Sequence, residues 1–219
     1  MGRNAERDAR ELAKRKLRIV KNAYPIFAER TIDNVSMQHI ADACGIGIAT
    51  LYRHYNVKSD LVIACATWAW EGYLRTTRKN DPDGKLTAAE LFELYLNAYI
   101  EAYNKHKDLL RFNQFFNVYV QTENIDPEQL KPYKAIIDEL SDRFHLLYAK
   151  GEKDGTLRTD EPEGKMFSAT LHLMLAAVTR YAVGLVYREN TDPEEELALL
   201  RDMLLERYTV KSKKKGASK

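Results

Sequence analysis

Residues 36–58 constrain the fold of this 219-residue chain more than any other stretch. Their pattern is that of two short helices joined by a tight turn. Ser36 can cap the first helix, because a serine oxygen accepts hydrogen bonds from the free backbone N–H groups at a helix start. Met37, Ile40 and Ala41 follow at helical spacing on one face. The small side chain of Ala41 allows a second helix to approach closely.

The turn after the first helix contains a glycine. Cys44 is predicted to end that helix, and Gly45 supplies the positive φ that a helix exit often needs. The second helix is predicted over residues 47–54, with Leu51 and Tyr55 on its inner face. The outer face then carries Ile48, Ala49, Thr50, Tyr52, Arg53 and His54. Such a pair is a helix-turn-helix, in which the second helix is presented to the DNA major groove.

The residues of this motif and of the helix before it match a known pattern. They are Ala23, Phe27-Ala28-Glu29-Arg30, Ile40-Ala41, Ala43-Cys44-Gly45-Ile46, Thr50-Leu51-Tyr52-Arg53-His54-Tyr55, Lys58 and Leu61. Over about residues 12–62 the chain resembles the N-terminal domain of TetR-family transcriptional regulators. Thr31 stands where that family usually has glycine, so this turn is expected to need another solution. Gly47 stands where the family often has serine, which is a better helix cap.

The resemblance implies an all-α fold, with an N-terminal three-helix helix-turn-helix DNA-binding domain and a larger C-terminal helical domain for ligand binding and dimerisation. We place the first domain at residues 1–60, the second at 61–210 and a disordered lysine-rich tail at 211–219. The implied function is a ligand-responsive transcriptional regulator, a repressor by family tendency, that binds a palindromic DNA operator as a homodimer. An effector-independent DNA-binding or architectural protein is the alternative. An enzyme is the third possible function, but the sequence contains no recognisable set of catalytic residues.

Charge and hydropathy agree with this assignment. Residues 1–60 carry 11 basic and 7 acidic side chains, whereas residues 61–210 carry 18 and 25. A basic N-terminal part beside an acidic remainder suits a DNA-reading domain on a body that does not bind DNA. The basic run from Arg3 to Arg18 is either a solvated helix face or an arm that touches phosphates. No run of eighteen apolar residues and no apolar leader core occur, so we expect a cytoplasmic protein without a membrane partner.

Helical periodicity extends through the whole chain. The first helix is predicted over 8–29 with Leu12, Ile19, Val20, Ala23 and Phe27 inward. Further helices are predicted over 58–79, 87–106, 108–122, 127–152, 162–187 and 193–208, with a break at residues 80–84. The last two helices offer a dimer face or pack inside one subunit. The predicted residues of this dimer face are Met166, Ala169, Thr170, Leu173, Ala176, Ala177, Tyr181, Leu197, Leu200, Met203, Leu204 and Tyr208.

The predicted DNA contacts fall into two groups. Tyr52, His54 and Lys58 can donate to phosphate oxygens, and a phosphate can dock at the helix start that Ser36 caps. Base reading is assigned to Gly47, Ile48, Thr50 and Arg53, where Ile48 would be exposed and meet a thymine methyl group. Thr50 and Arg53 each suit either a base or a phosphate.

The second domain is rich in aromatic side chains, which form either an ordinary core or the wall of an effector cavity. The resemblance implies a small, apolar or aromatic effector of unknown identity. The candidate effector residues are Tyr95, Tyr99, Tyr103, Phe112, Phe115, Phe116, Tyr119, Phe144, His145, Tyr148 and His172. His145 and His172 lie on apolar helices, where the default is a satisfied core histidine. The histidines and cysteines lack metal-ligand spacing, so no metal, catalytic site or cofactor is expected.

Overall fold

A computed structural model describes residues 2–77, 85–185 and 192–210. These residues form nine helices, which confirms the all-α class. The helices are α1 (Gly2–Arg30), α2 (Met37–Cys44), α3 (Ile48–His54), α4 (Lys58–Thr77), α5 (Ala88–Lys105), α6 (Lys107–Thr122), α7 (Lys131–Asp154), α8 (Glu163–Val183) and α9 (Pro193–Tyr208). The predicted break at residues 80–84 and the predicted tail at 211–219 lie outside the described residues.

Three helix ends differ from the predicted ones by four residues or more. Helix α1 begins at Gly2, well before residue 8. Helix α7 begins at Lys131 and not at 127, because residues 127–130 form turns. Helix α8 ends at Val183, before the predicted end at 187. The reason is Gly184, whose φ of 115° is accessible to glycine and takes the backbone out of the helix.

The chain divides into two compact units. Unit 1 contains residues 1–73 and 111–136, and unit 2 contains residues 74–110 and 137–219. The division falls inside α4, α6 and α7. It differs from the sequence-based boundary at residue 60, because unit 1 includes parts of α4, α6 and α7 together with the helix-turn-helix. The boundaries at residues 60 and 210 stay a prediction about where the DNA-reading part ends.

The core of unit 1 holds the helix-turn-helix against α1 and α4. Ile19, Val20, Ala23 and Phe27 of α1 are buried there, as predicted. Leu12 is 48% exposed, so its predicted inward position is wrong. The reason is that the first part of α1 extends beyond the core, and residues 6–18 are all exposed.

A buried amide connects two aromatic side chains within unit 1. The Oδ1 atom of Asn113 accepts hydrogen bonds from Trp70 Nε1 at 3.2 Å and from Tyr133 Oη at 3.0 Å. Asn113 itself is only 3% exposed. A buried polar group that loses its partner costs about 1–3 kcal/mol. Asn113 therefore ties α4, α6 and α7 together through groups that have to remain paired.

We expect Asn113→Ala to lower the free energy of unfolding by at least about 2 kcal/mol, because it leaves both the indole N–H and the phenol hydroxyl without their acceptor. The matched control is Asn117→Ala, since Asn117 is exposed one turn later on the same helix. Urea denaturation followed by tryptophan fluorescence measures both. Equal stability of the two variants would contradict this role.

Unit 2 packs α5, α7, α8 and α9 around a second apolar core. Phe92, Leu96, Phe144, Met166 and Met174 are buried in it. The start of α5 is fixed by a capping box, in which the Thr87 hydroxyl accepts from the backbone N–H of Glu90 and the Glu90 carboxylate accepts from that of Thr87. At the same helix start, the Asp154 carboxylate accepts a hydrogen bond from the backbone N–H of Ala88, and the Thr156 hydroxyl accepts one from that of Ala89. This helix end is therefore fully paired by side chains.

Helix α8 is long and apolar enough, by length and composition alone, to cross a membrane. It is the one such helix among the described residues. One face of it carries Met166, Thr170, Met174 and Val178, all buried within unit 2. Core helices of soluble proteins commonly pass the same test, so this is weak evidence for a membrane span.

Candidate DNA-binding site

The first helix of the motif is capped and terminated as its sequence predicts. The Ser36 hydroxyl oxygen accepts a hydrogen bond from the backbone N–H of His39 at 3.2 Å. At the other end Gly45 adopts φ 64°, in the left-handed region that favours glycine. The N–H of Gly45 donates to the carbonyl of Asp42, and that of Ile46 donates to Ala41. The turn between α2 and α3 is therefore fixed by backbone hydrogen bonds.

Helix α3 is short and depends on its inner face for stability. Leu51 is fully buried and Tyr55 is nearly so, as predicted. Gly47 is the N-cap and provides no side-chain hydrogen bond. The exposed side of the helix carries Ala49, Tyr52 and Arg53. Since Leu51 fixes the rotation of the helix about its axis, these side chains project from the domain surface.

The predicted exposure of Ile48 is wrong. Ile48 is half-buried and packs against the core of unit 1. The physical reason is its spacing, because it lies three residues before Leu51 and therefore on the edge of the same helix face. Only the outer edge of its side chain is available to a thymine methyl group.

Thr50 and Arg53 are neighbours on the outer side of α3. Arg53 Nη2 lies 3.5 Å from Thr50 Oγ1, at the outer limit for a hydrogen bond. Thr50 is half-buried and Arg53 is exposed. Their spacing of three residues stacks them along the helix axis. The guanidinium group therefore keeps most of its donors for a base edge or a phosphate.

His54 turns away from the exposed side of α3 towards α1. It lines a groove of about 580 Å³ with Lys16, Tyr55, Thr67 and other residues of unit 1. His54 Nδ1 and Thr67 Oγ1 are both buried there and lack a partner among the described residues. Burial, and then the charges of Arg53, Lys16 and Arg15, lower the pKa of His54. The sequence contained no signal for this groove.

Lys58 occupies the first turn of α4 above an aromatic ring. Its Nζ atom lies 5.6 Å from the ring centroid of Tyr119. Burial lowers the pKa of Lys58, while the nearby charges of Asp33 and Glu123 act in the opposite direction. The ammonium group is half-buried in this setting and would have to extend outward to reach a phosphate.

The turn before α2 contains a strained residue that the sequence does not reveal. Thr31 adopts φ 64°, although β-branched residues rarely occupy the left-handed region. The expectation that this turn needs another solution is therefore wrong, because Thr31 takes the backbone conformation that suits a glycine. Its Oγ1 accepts a hydrogen bond from Asn34 Nδ2 at 3.1 Å. This strain lies between α1 and the helix-turn-helix.

The predicted effector residues are divided between the cores of the two units. Tyr95, Tyr99, Phe144 and Tyr148 belong to the core of unit 2, and Tyr103 contacts Tyr181 there. By contrast, four predicted effector residues pack with the helix-turn-helix in unit 1: Phe112, Phe115, Phe116 and Tyr119. The assignment of these residues to an effector site stays a prediction. Helical periodicity in the sequence identifies the apolar face of each helix, but it does not identify the surface against which that face packs.

The two histidines of this set are on the surface. His145 Nδ1 lies 2.9 Å from Glu163 Oε2, and this hydrogen bond raises the pKa of the imidazole. His172 is also exposed, with its Nδ1 3.3 Å from Ser168 Oγ. The prediction of satisfied core histidines is wrong for both, because each lies on the polar edge of its helix.

Comparison with known proteins agrees with the motif. Residues 19–65 match a family described as bacterial regulatory proteins, tetR family. The uncharacterized HTH-type transcriptional regulator YerO of Bacillus subtilis (strain 168) is 30% identical over 146 residues. That match covers 63% of this chain and 47% of YerO. The chain thus matches about half the length of this curated relative.

Solved structures share the fold. A putative transcriptional regulator from Saccharomonospora viridis in complex with choline has a TM-score of 0.70 at 18% identity, covering 90% of this chain and 99% of its own. AibR, in complex with isovaleryl coenzyme A and operator DNA, has a TM-score of 0.64 at 16% identity, covering 87% and 98%. Sequence identities this low establish a shared fold. They do not show that this chain binds the ligands of those proteins.

We expect Thr31→Gly to raise the free energy of unfolding by about 0.5–1 kcal/mol. Relief of left-handed strain is worth about 1–2 kcal/mol, and the greater entropy of glycine in the unfolded chain offsets part of it. Asn124→Gly is the control, since Asn124 also has a positive φ, of 48°, but asparagine tolerates it. Thermal or urea unfolding measures both, and a loss of stability in Thr31→Gly would show that the strain is absent.

The capped and packed helix-turn-helix, the family match over residues 19–65 and the shared fold agree: this part of the chain resembles the N-terminal domain of the tetR family of bacterial regulatory proteins.

Proposed function

We propose that the protein is a ligand-responsive transcriptional regulator that binds a palindromic operator as a homodimer. The observation that carries this proposal is the exposed side of α3. Tyr52 is 45% exposed while Leu51 and Tyr55 on either side of it are buried, so the core presents this side chain outward. A rigid short helix with exposed donors is the form in which helix-turn-helix proteins enter the major groove.

The geometry refines the assignment of DNA contacts. Tyr52 contacts phosphate through its hydroxyl, and Lys58 does so after its ammonium group leaves the Tyr119 ring. Base reading rests on Thr50 and Arg53, because Ile48 is half-buried and only its edge contributes. Ser36 uses its side-chain oxygen as a cap and leaves backbone N–H groups at the start of α2 for a phosphate.

The surface of α8 and α9 supports a dimer. Leu173 and Val183 on α8 are 42% and 45% exposed, and Leu199 and Met203 on α9 are 60% and 57% exposed. Exposed apolar side chains recurring on two helices mark a protein contact, and two helices from each subunit form a four-helix bundle. Met166, Thr170, Leu197, Leu204 and Tyr208 are buried within unit 2 and are removed from the predicted face.

Unit 2 is the proposed place of the effector. Tyr95 and Tyr99 share a hydrogen bond of 2.7 Å between their hydroxyl oxygens, beside the ring of Phe144. Thr170 and Thr179 on α8 have buried hydroxyl oxygens without a hydrogen-bond partner among the described residues. Apolar walls with a few polar groups suit a small, largely apolar ligand. The solved relatives with bound choline or isovaleryl coenzyme A support a ligand in this fold without defining its class.

Ligand binding would shift the population between DNA-competent and DNA-incompetent states, with repression as the proposed default by family tendency. The effector-independent DNA-binding protein remains the second candidate. A thermal-shift screen with small apolar and aromatic compounds separates the two, since only a regulator with an effector site gains stability from a compound.

The contact assignment predicts how variants bind. Tyr52→Phe and Lys58→Ala should weaken binding to a selected site and to a scrambled duplex by the same factor, because phosphate contacts carry no base information. Each should lose several-fold in affinity, about 0.5–1.5 kcal/mol per hydrogen bond. Lys58→Ala should also lower the salt slope by about one unit per subunit. Fluorescence anisotropy across a salt series measures these quantities.

Lys134→Ala is the control for Lys58→Ala, since Lys134 is an exposed lysine on α7. It removes the same charge and should leave the salt slope unchanged. A change in preference between the two duplexes for Tyr52→Phe would place the tyrosine among the base readers and refute the assignment.

A further inference from the structure

A second groove of unit 1 lies between the start of α4 and the end of α6. Its volume is about 710 Å³, and its lining includes Asp33, Lys58, Ser59, Tyr119 and Glu123. We call it the Lys58 groove, because Lys58 is the one cationic side chain among the described residues that line it. The proposed phosphate ligand of α4 is thus surrounded by acidic and aromatic groups of its own protein.

The α6 side of the Lys58 groove is held in place by the helix. Tyr119 is 5% exposed and belongs to the core of unit 1. The backbone N–H of Glu123 donates to the carbonyl of Tyr119 at 3.0 Å, and Asn124 then leaves the helix with φ 48°. The Tyr119 ring and the backbone of Glu123 are therefore fixed. The lysine, with its flexible four-carbon stem, is the member of the groove that can move.

Lys58 has interaction partners in the protein without DNA. Its Nζ atom lies 5.6 Å from the ring centroid of Tyr119, within the range of a cation–π interaction. Burial lowers the pKa of Lys58, and the charges of Asp33 and Glu123 oppose this effect. Burial, with the charges of Glu123 and Asp33, raises the pKa of Tyr119 to about 12. Both carboxylates therefore lie close enough to act on the ammonium group and on the phenol.

These partners compete with DNA for one ammonium group. Lys58 is in the first turn of α4, where the helix dipole disfavours a cation, and the groove offsets this penalty in the free protein. A lysine that extends to a phosphate leaves the Tyr119 ring and moves away from the two carboxylates. Binding to DNA then gains only the difference between the phosphate contact and the contacts in the groove.

From this competition we infer that Asp33, Tyr119 and Glu123 are positioning residues that hold the Lys58 ammonium group away from DNA and so lower the affinity for any duplex. This inference rests on the phosphate contact of Lys58 under the proposed function. Partly exposed cation–π and charge interactions correspond to a change of about two- to fivefold in affinity for each subunit. Residues that do not touch DNA would thus set how tightly the protein binds it.

The test is a double-mutant cycle on DNA binding. The groove variant Asp33→Asn, Glu123→Gln is compared with the control Glu29→Gln, Glu128→Gln, which removes the same charge from exposed carboxylates of unit 1 outside the groove lining. Each pair of substitutions is made in the wild-type protein and in Lys58→Ala. Fluorescence anisotropy measures the affinity for a duplex selected by the wild-type protein and for a scrambled duplex.

The Lys58→Ala background separates two causes of tighter binding. Loss of any acidic side chain weakens the general repulsion of DNA, and this effect does not need Lys58. Release of the lysine does need it, so the cycle isolates that part. The groove variant should bind both duplexes about two- to fivefold more tightly per subunit than the control. In Lys58→Ala the groove variant and the control should bind equally.

Substitutions of Tyr119 test the contribution of the ring. Tyr119→Phe keeps the ring face and should bind DNA like the wild-type protein, whereas Tyr119→Leu should bind more tightly, with a gain that again disappears in Lys58→Ala. Unchanged affinity of a folded Tyr119→Leu would contradict the role of the ring. Tyr119 is buried, whereas Asp33 and Glu123 are exposed, so the groove variant carries the test if Tyr119→Leu does not fold.

Two results of the cycle overturn the inference. One is equal affinity of the groove variant and the control, and the other is a gain of the groove variant over the control that persists in Lys58→Ala. If Lys58→Ala itself binds as tightly as the wild-type protein, the inference also fails, while DNA binding through α3 stands. Failure of the wild-type protein to bind any duplex overturns both the inference and the proposed function.

Discussion

The packing of α2 and α3 against α1 and α4 is the interaction on which the functional surface depends. Phe27, Ile40, Ala41 and Leu51 are all fully buried at this junction. Helix α3 has seven residues and a glycine as its N-cap, so it is too short to be stable by itself. Burial of Leu51 and the hydrogen-bonded turn at Gly45 therefore determine its position and rotation. The exposure of Tyr52 and Arg53 is a direct consequence.

Local features of this domain were predictable from the sequence because they depend on residues close in the chain. The Ser36 cap, the glycine exit of α2 and the inner positions of Leu51 and Tyr55 follow from helix spacing and backbone chemistry alone. Ile48 shows the limit of this reasoning. Its neighbour Leu51 was correctly placed, yet a position on the edge of a helix face becomes buried or exposed according to what packs there.

Features that depend on distant residues were not predictable. The Phe112 and Phe116 rings lie in the core of the helix-turn-helix unit, although they are more than fifty residues beyond the motif in sequence and were expected at an effector site. Leu12 belongs to an apolar pattern that continues past the end of the core. His145 lies on an apolar helix, but on its exposed side. In each case the helical periodicity was correct, but the sequence did not show which part of the protein packs against the helix.

We propose that two copies of α3 read one DNA site, and a selection of bound duplexes from a random pool tests this proposal most directly. We expect enrichment of an inverted repeat, with half-sites separated by about 10–10.5 base pairs centre to centre or a multiple of that spacing, because each α3 would enter one major groove. Enrichment of a single asymmetric motif would contradict the two-fold arrangement. No enrichment at all would contradict base reading by α3.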